Sequence, residues 1–260
     1  MADERIHRDA AEGFDRGAVA YERARPSYPP EVVACIVGQA HLGPGRRVLD
    51  LAAGTGKLTR LLVPSGADVV AVEPVAGMRD QLREVLPDLE VLDGMAEDIP
   101  LGDASVDAVT VAQAIHWFDL EQAVPEVLRV LAEAGTLVVT YSLPDVRVDW
   151  IQAFQATLDT GNGLPFHRYG EHDYGEEISA IAGDAFGERG YLRCEWGQPC
   201  DAELLVERAA SVSVVASLPT DQLDRVLERV ADLALTHPDL AGQGMFSFPY
   251  VTHVHWWTRS

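Results

Sequence analysis

The sequence has few cysteines and no long apolar run. Cys35, Cys194 and Cys200 stand far apart in 260 residues, and their spacing matches no zinc site, so we expect reduced thiols. No run of 18 apolar residues occurs, and the amino-terminal residues lack the charged-then-apolar order of a signal peptide. These absences predict a cytoplasmic protein without a membrane-spanning helix.

Basic residues are also scarce. The chain has 20 Lys and Arg against 41 Asp and Glu, a formal net charge of −21, and no basic block offsets it. Such a surface repels phosphate backbones and anionic lipid. We therefore expect a small-molecule substrate, with neither nucleic acid nor a membrane as a partner. The competing interpretation, an acidic surface that only maintains solubility, also favours a small molecule.

Alternating strand and helix patterns fill most of the chain. Short runs of Val, Leu and Ala between amphipathic segments predict parallel strands buried on both faces. The predicted strands are 47–52, 68–73, 89–94, 105–114, 135–142, 191–198 and 245–259. The predicted helices are 31–41, 57–64, 76–86, 120–131, 149–160, 176–187 and two stretches within 201–236. This order predicts an α/β, doubly wound, Rossmann-like seven-stranded sheet with a ligand crevice at the carboxyl ends of its strands.

Helical segments follow the fifth and sixth predicted strands. Such additions to an α/β core are typical of lids, although apolar helices such as 202–218 leave a homodimer interface open as the alternative. We expect one domain with a cap, in four parts. These parts are an N-terminal helical cap (1–45), the ligand-binding α/β core (46–142), a lid insertion with a helix (143–190), and the last two strands with a helical insertion (191–260).

A glycine turn follows the first predicted strand, in "VLDLAAGTGKLTRLL" (48–62). A phosphate-binding P-loop requires Ser or Thr after its Gly-Lys pair, and here Leu58 follows Lys57. The dinucleotide fingerprint requires a third small residue, and here that position is Thr59. Both phosphate-binding interpretations are therefore weak.

An acidic residue, Glu73, ends the second predicted strand. A carboxylate there can accept hydrogen bonds from two neighbouring ribose hydroxyls. The backbone amides from Gly54 to Lys57 favour a negative group, for which a carboxylate serves as well as a phosphate. The pattern indicates a ligand with a ribose and an anionic group.

Four segments carry a resemblance to a known family: "VLDLAAGTGKLTRLL", "VVAVEP", "MAEDIPLGDASVDAVTVAQAIHWFD" and "RVLAEAGTLVV". They resemble the successive motifs of class I S-adenosylmethionine (SAM)-dependent methyltransferases, and are most similar to the UbiE-like, type 11 branch that includes trans-aconitate methyltransferase. "FDRGAVAYERARPSYPPEVV" is similar to that branch as well. The resemblance covers residues 14–142 well and the rest loosely.

The resemblance implies SAM as the cofactor and a role for each matching position. Glu73 would bind the ribose, Met78 would lie on the adenine, and Gln113 with Ala114 would face the methionine amino group. Met78 as ordinary core packing and Glu97 as a helix cap are the alternatives. The implied cofactor-binding residues are Asp50, Ala52, Gly54, Gly56, Glu73, Pro74, Met78, Ala96, Glu97, Gln113 and, from the N-terminal helix, Arg25.

Candidate catalytic and acceptor-binding residues lie close to these motifs. His116, just after the fourth predicted strand, is the candidate general base, with lining or capping of the helix at Leu120 as the alternative. Tyr21 would close over the site as a second catalytic residue. No metal is predicted, because His253 and His255 on the last strand lack a third ligand, and a surface or packing role is favoured for them. The candidate substrate-binding residues are Tyr28, Trp117, Arg168 and Tyr169. Ordinary core packing is the alternative for Trp117, and an ordinary polar loop is the alternative for Arg168 and Tyr169.

One motif departs from the family. Relatives usually carry "RPGG" before the fifth strand, whereas this chain has "AEAG" at 132–135. Gly135 alone remains, and we expect the tight turn to require it. A change in the shape of the turn, without loss of cofactor binding, is the expected consequence.

The sequence thus predicts a SAM-dependent methyltransferase that acts on an oxygen, carbon or nitrogen atom of a small organic molecule. Two alternatives stay open. The same fold and cofactor could serve another SAM-dependent reaction such as cyclisation, or the protein could bind SAM without catalysis.

Overall fold

The computed structural model describes residues 27–159 and 173–260. The seven strands of its sheet are β1 (Arg47–Leu51), β2 (Asp68–Val72), β3 (Glu90–Leu92), β4 (Val106–Ala112), β5 (Leu131–Pro144), β6 (Gly190–Cys200) and β7 (Phe246–Thr258).

Nine α-helices are found in the same residues. They are α1 (Pro30–Gln39), α2 (Thr59–Leu62), α3 (Ala76–Val85), α4 (Leu120–Val130), α5 (Asp149–Leu158), α6 (Tyr174–Ala182), α7 (Ala202–Ala210), α8 (Ser213–Ala216) and α9 (Thr220–Thr236). Three short 3₁₀ helices cover Val63–Ser65, Ile115–Trp117 and Gly183–Ala185.

The strand order across the sheet is β3-β2-β1-β4-β5-β7-β6. The first five strands pair in parallel, with β1 between β2 and β4. The predicted α/β fold with a seven-stranded sheet is confirmed, and helices do follow β5 and β6 along the chain. A parallel sheet of this order reverses its winding at β1, which brings the ends of β1 and β4 to the switch point where such folds bind ligands.

The strands are buried because their residues are apolar on both faces. Val48 and Leu49 in β1 and Val70 and Val72 in β2 are fully buried, as expected for parallel strands between helix layers. The helix α1 begins at Pro30, whose fixed φ and missing N–H suit a first turn.

The chain divides into two units. Among the described residues, the first unit comprises 27–142, 173–194 and 252–260, and the second comprises 143–159 and 195–251. The first unit contains the parallel strands β1 to β4. The second contains α5, α7, α8 and α9. The division into cap, core and lid that the sequence suggests stays a prediction.

The second unit has its own apolar core. The rings of Trp150 and Phe154 both meet that of Phe248 edge-to-face, with centroids 5.3 and 5.6 Å apart. Such edge-to-face pairs stabilise a core beyond the area that they bury. The helix α9 adds Val226 and Val230, one helical turn apart, to the same core.

No helix in the described parts of the chain is both long and apolar enough to cross a membrane.

The helix after the glycine turn is shorter than the sequence predicts. Turn geometry continues through Leu58, and α2 covers only Thr59–Leu62 before a 3₁₀ helix that contains Pro64. Gly56, directly before the predicted helix, has positive φ, a conformation that no right-handed helix contains, so the helix can begin only after it. Pro64, in turn, has no N–H to continue the α-helical bonding.

The "AEAG" segment forms a bulge at the start of β5. Val106 on β4 pairs with Leu131, but Ala108 pairs with Thr136, so residues 132–135 lie opposite a single residue of β4. The left-handed conformation falls on Ala134 (φ 57°). Gly135 is required for a different reason, because a Cβ there would lie 2.8 Å from the Ala132 carbonyl oxygen. Gly135 is thus needed for close approach and not for positive φ.

This bulge yields a matched pair of substitutions. Ala134→Gly should raise the free energy of unfolding by about 1 kcal/mol, because glycine relieves the left-handed strain at an exposed position. Gly135→Ala should lower it by about 2 kcal/mol or more through steric overlap with the backbone. Urea denaturation followed by circular dichroism measures both changes. Equal effects of the two substitutions would contradict the different roles assigned to the two positions.

Candidate active site

The carboxyl ends of β1, β2 and β4 lie side by side. Leu51, the last residue of β1, is level with Val72 at the end of β2 and with Val111 near the end of β4. Glu73 follows β2 directly and Gln113 follows β4 directly. Two of the residues predicted from separate motifs therefore come to one edge of the sheet.

Glu73 is a buried carboxylate, and backbone amides hold it. The residue is 4% exposed. Its Oε2 accepts a hydrogen bond from Gly54 N at 2.8 Å, and its Oε1 accepts one from Val75 N at 2.9 Å. Burial, the largest effect, raises the pKa of Glu73, while these two bonds lower it. Each carboxylate oxygen can accept a second hydrogen bond, so the side chain retains acceptor capacity for two ligand donors.

Arg79 holds the backbone at the end of β2 by a hydrogen bond. Its Nη1 donates to the backbone oxygen of Glu73 at 2.8 Å. The same guanidinium forms a two-point ion pair with Asp93, at 3.0 and 3.1 Å. Because a two-point pair of this kind constrains the orientation of the guanidinium, Arg79 helps to fix the backbone from which the Glu73 side chain extends.

The glycine turn has a shape that other residues would not easily adopt. Gly54 and Gly56 have φ of 59° and 83°. A Cβ on Gly56 would lie 2.3 Å from Leu82 Cδ1 of α3, whereas a Cβ on Gly54 would lie 3.8 Å from Met78 Sδ. Gly56 therefore allows α3 to pack closely, whereas a Cβ at Gly54 would make only ordinary van der Waals contact with the Met78 thioether.

Two amides of this turn bond within the protein. Gly54 N donates to Glu73, and Gly56 N donates to the Ala53 carbonyl oxygen at 3.0 Å. The sequence suggests that amides from Gly54 to Lys57 receive an anionic group of the ligand. The structure instead uses the Gly54 amide to position the acidic residue, and α2 is too short to add a substantial helix dipole.

Asp50 forms a second buried carboxylate behind the turn. It is 1% exposed, and it accepts hydrogen bonds from Thr59 Oγ1 at 2.6 Å and from Thr110 Oγ1 at 2.9 Å. Burial raises the pKa of Asp50 to about 6, against the lowering effect of the two hydroxyls. Both carboxylate oxygens thus have protein partners, and Asp50 connects the turn to β4.

Gln113 has the left-handed conformation, with φ of 60°, at the end of β4. Its backbone N donates to the Thr140 oxygen at 2.9 Å, and its Nε2 donates to the Ser142 oxygen at 3.2 Å. Ala52, at the end of β1, also has positive φ, 55°. Non-glycine residues with this conformation are often found at functional sites.

Four other residues predicted to bind the cofactor have mixed surroundings. Met78 and Ala96 are buried, and Pro74 is exposed. Glu97 Oε1 accepts a hydrogen bond from Asp119 N, the N-cap of α4, at 2.8 Å. This bond matches the helix-capping alternative for Glu97, and the adenine contact stays a prediction.

His116 lies in the 3₁₀ helix that joins β4 to α4. It is half-buried, and its ring lies against that of Trp117, with the centroids 4.5 Å apart and the planes tilted by 45°. Tyr28 is half-buried just before α1. The catalytic role of His116 and the acceptor contacts of Trp117 and Tyr28 stay predictions. Four other predicted site residues lie outside the described residues: Tyr21, Arg25, Arg168 and Tyr169.

The two histidines of β7 belong to an aromatic cluster. His255 is 5% exposed, with Nε2 3.3 Å from the Tyr141 hydroxyl, and burial lowers its pKa to about 4. The Tyr191 hydroxyl lies 2.8 Å from Nδ1 of His253. Within residues 27–159 and 173–260, no group of three His, Cys, Asp or Glu side chains is arranged to hold a metal ion. The packing interpretation of these histidines agrees with this geometry.

Three supporting residues are not evident from the sequence. Thr59 stands where the dinucleotide fingerprint fails, yet its hydroxyl holds Asp50. Thr110 lies 60 residues from Asp50 and meets it only through the register of β1 with β4. Arg79 follows Glu73 by six residues, and its position near the start of α3 was the one feature of the sequence that placed it close to Glu73.

Comparison with known proteins agrees with this fold. A family model described as a methyltransferase domain matches residues 49–139. An uncharacterized methyltransferase of Mycobacterium tuberculosis is 40% identical over 94% of this chain and 95% of its own length. An uncharacterized methyltransferase-like protein of Schizosaccharomyces pombe is 30% identical over 92% of each chain.

Among solved structures, a putative methyltransferase from an antibiotic biosynthesis pathway of Anabaena variabilis superposes with a TM-score of 0.64. It is 24% identical and covers 90% of this chain and 98% of its own. This likeness supports the fold.

The sheet order, the glycine turn and the buried acidic residue after β2 define an α/β protein with a candidate ligand site at the carboxyl edge of its sheet. Together with the relatives above, they show that the chain belongs to the class I SAM-dependent methyltransferases. It is accordingly a methyltransferase, in a family that generally uses SAM. The nearness to trans-aconitate methyltransferase stays a prediction.

The buried Asp50 predicts a pH dependence of stability. Its folded pKa of about 6 lies above its ordinary value, so the folded state keeps the proton longer than the unfolded state. Its contribution to stability is therefore fully present below its ordinary pKa of 3.8, falls as the pH rises, and is lost above about pH 6. A shift of about two pKa units corresponds to roughly 3 kcal/mol at pH 7.

Asp50→Asn should remove this dependence, since an amide can still bond the two threonine hydroxyls. Urea denaturation from pH 4 to pH 7 should show the variant gaining about 3 kcal/mol relative to the wild type. Asp88→Asn, at an exposed position, is the control and should run parallel to the wild type. If the free energy of unfolding of Asp50→Asn changed with pH as that of the wild type does, the burial argument would be contradicted.

Proposed function

We propose that this protein binds SAM at the carboxyl edge of β1, β2 and β4 and transfers its methyl group to a small organic acceptor. The observation that carries the proposal is the Glu73 carboxylate, buried and held by Gly54 N and Val75 N. A buried charge requires partners, and the two remaining acceptor positions match the two hydroxyls of a ribose.

The surroundings of Glu73 fit an adenosyl group. The Met78 thioether lies close to Gly54, since a Cβ there would be 3.8 Å from Met78 Sδ, and a thioether is a suitable contact for an aromatic ring. Ala96 supplies a further small buried apolar side chain. A geranyl diphosphate methyltransferase whose structure was solved in complex with SAM shares the fold, with a TM-score of 0.50 at 14% identity.

When bound, SAM supplies an electrophilic methyl group on its sulfonium. The work of the chain is to align the acceptor with the sulfur–methyl bond, which lowers a barrier by about 7–11 kcal/mol in well-oriented systems. A lone pair of the acceptor atom forms the bond to the methyl carbon as the sulfur–carbon bond breaks. A ring nitrogen of His116 takes the acceptor proton, where the acceptor has one to lose.

The charge of the chain supports a small acceptor. At −21, the protein would repel nucleic acid and anionic membrane surfaces. The three cysteines are free thiols, which suits a reducing compartment. We therefore place this activity in the cytoplasm, with a small organic molecule as the partner.

Glu73→Ala should weaken binding of SAM and S-adenosylhomocysteine by roughly 100-fold or more, because two charge-assisted hydrogen bonds are lost. Isothermal titration calorimetry on purified protein measures both ligands. Glu84→Ala removes an exposed carboxylate on α3 and should bind as the wild type does.

A folded wild type, free of carried-over ligand, that bound neither compound would contradict the proposal. Equal losses in the two variants would instead indicate a general effect of charge. Thermal denaturation of each variant separates loss of the site from loss of the fold.

The reaction itself is tested by incubation with SAM and a panel of small acids, phenols and amines. Transfer predicts S-adenosylhomocysteine together with a product heavier by one methyl group, measured by mass spectrometry. An isomerised acceptor without S-adenosylhomocysteine would indicate cyclisation chemistry. SAM binding without any turnover over a broad panel would favour a non-catalytic role.

His116→Gln should lower kcat by about 100-fold or more for an acceptor found in this way, if its proton leaves during transfer. Binding of S-adenosylhomocysteine should stay unchanged, since the proposed role of His116 lies with the acceptor. An unchanged kcat and pH profile would contradict the general-base role. Phe118→Leu, in the same loop, is the matched control for packing.

A further inference from the structure

Gln113 is held in its left-handed conformation by two bonds to the end of β5. Its backbone N–H donates to the Thr140 oxygen, and its side-chain Nε2 donates to the Ser142 oxygen. A left-handed glutamine is disfavoured in isolation, so these bonds maintain the conformation. The position of Gln113 thus depends on where the end of β5 lies.

Hydroxyl groups fix that end of β5 to β7. Ser142 Oγ lies 2.7 Å from Thr252 Oγ1, and both residues are buried, at 7% and 0% exposure. Thr140 Oγ1 donates to the His253 oxygen at 3.0 Å. Side-chain bonds therefore connect β5 and β7 at the two residues that hold Gln113.

These bonds also decide which end of the Gln113 amide is available. A backbone carbonyl oxygen only accepts hydrogen bonds, so the group that meets the Ser142 oxygen must be the NH₂. The remaining group is the carbonyl oxygen Oε1. An acceptor in that place suits a positively charged amino group and would repel a carboxylate.

We propose that Thr252, acting through Ser142, is a positioning residue that holds Gln113 so that its Oε1 accepts from the amino group of the cofactor's amino-acid part. This inference rests on the proposed function. It assigns a role in ligand discrimination to β7, a strand that lies two places from β4 in the sheet.

The test compares two ligands and one conservative substitution. S-adenosylhomocysteine carries the amino group, whereas 5′-methylthioadenosine keeps the nucleoside and the thioether but lacks the amino-acid part. In Thr252→Val, the Kd for S-adenosylhomocysteine should rise about five-fold, the value expected for one weakened hydrogen bond. The Kd for 5′-methylthioadenosine should stay unchanged.

Two further variants distinguish positioning from general damage. Thr258→Val, at an exposed position of β7, should leave both Kd values unchanged. In a Gln113→Leu background, Thr252→Val should have no further effect, because the residue through which it acts is gone. Ser142→Ala should reproduce the ligand-selective loss, and it replaces Thr252→Val if that variant fails to fold.

Each result separates this inference from the proposed function. An equal rise in both Kd values, no rise in either, or full additivity with Gln113→Leu would overturn the positioning role while leaving SAM binding intact. A folded wild type that bound neither ligand would overturn both.

Discussion

The buried carboxylate of Glu73 is the interaction on which the site depends. One side chain accepts from the turn after β1 and from Val75, the N-cap of α3. Because a buried charge without partners costs several kcal/mol, the turn must keep its Gly54 amide directed at Glu73. Gly54 meets that requirement with a left-handed backbone, a conformation that glycine adopts without strain.

A second buried carboxylate stands close to the first. Asp50 raises the pKa of Glu73 through repulsion of like charge, an effect smaller than burial. The hydroxyls of Thr59 and Thr110 donate hydrogen bonds to Asp50, and neither of these donors carries a positive charge. Concentrated negative charge at this edge would favour a ligand with positive charge, and the sulfonium and ammonium of SAM meet that condition. The same charge explains why a phosphate-binding turn would be poorly placed here.

The sequence predicted the sheet well because apolar runs and breaks mark buried parallel strands directly. It failed where a conformation depends on contacts distant along the chain. Gly135 was expected to serve a tight turn, and the close approach of Ala132 explains it instead. Thr110 could not be found in advance, since its partnership with Asp50 exists only in the register of β1 with β4.

The residues with positive φ show the same limit of prediction from the sequence. At Gly54 and Gly56 the residue type itself indicates positive φ, since glycine is the residue that adopts it readily. Ala52 and Gln113 adopt it at the ends of neighbouring strands, and neither residue type has a preference for it. A glycine motif therefore indicates only those positive-φ positions of the site that need no stabilising contacts from elsewhere in the chain. At Gln113 the support comes from β5, so the amide orientation there is a property of the whole sheet and not of the segment that carries it.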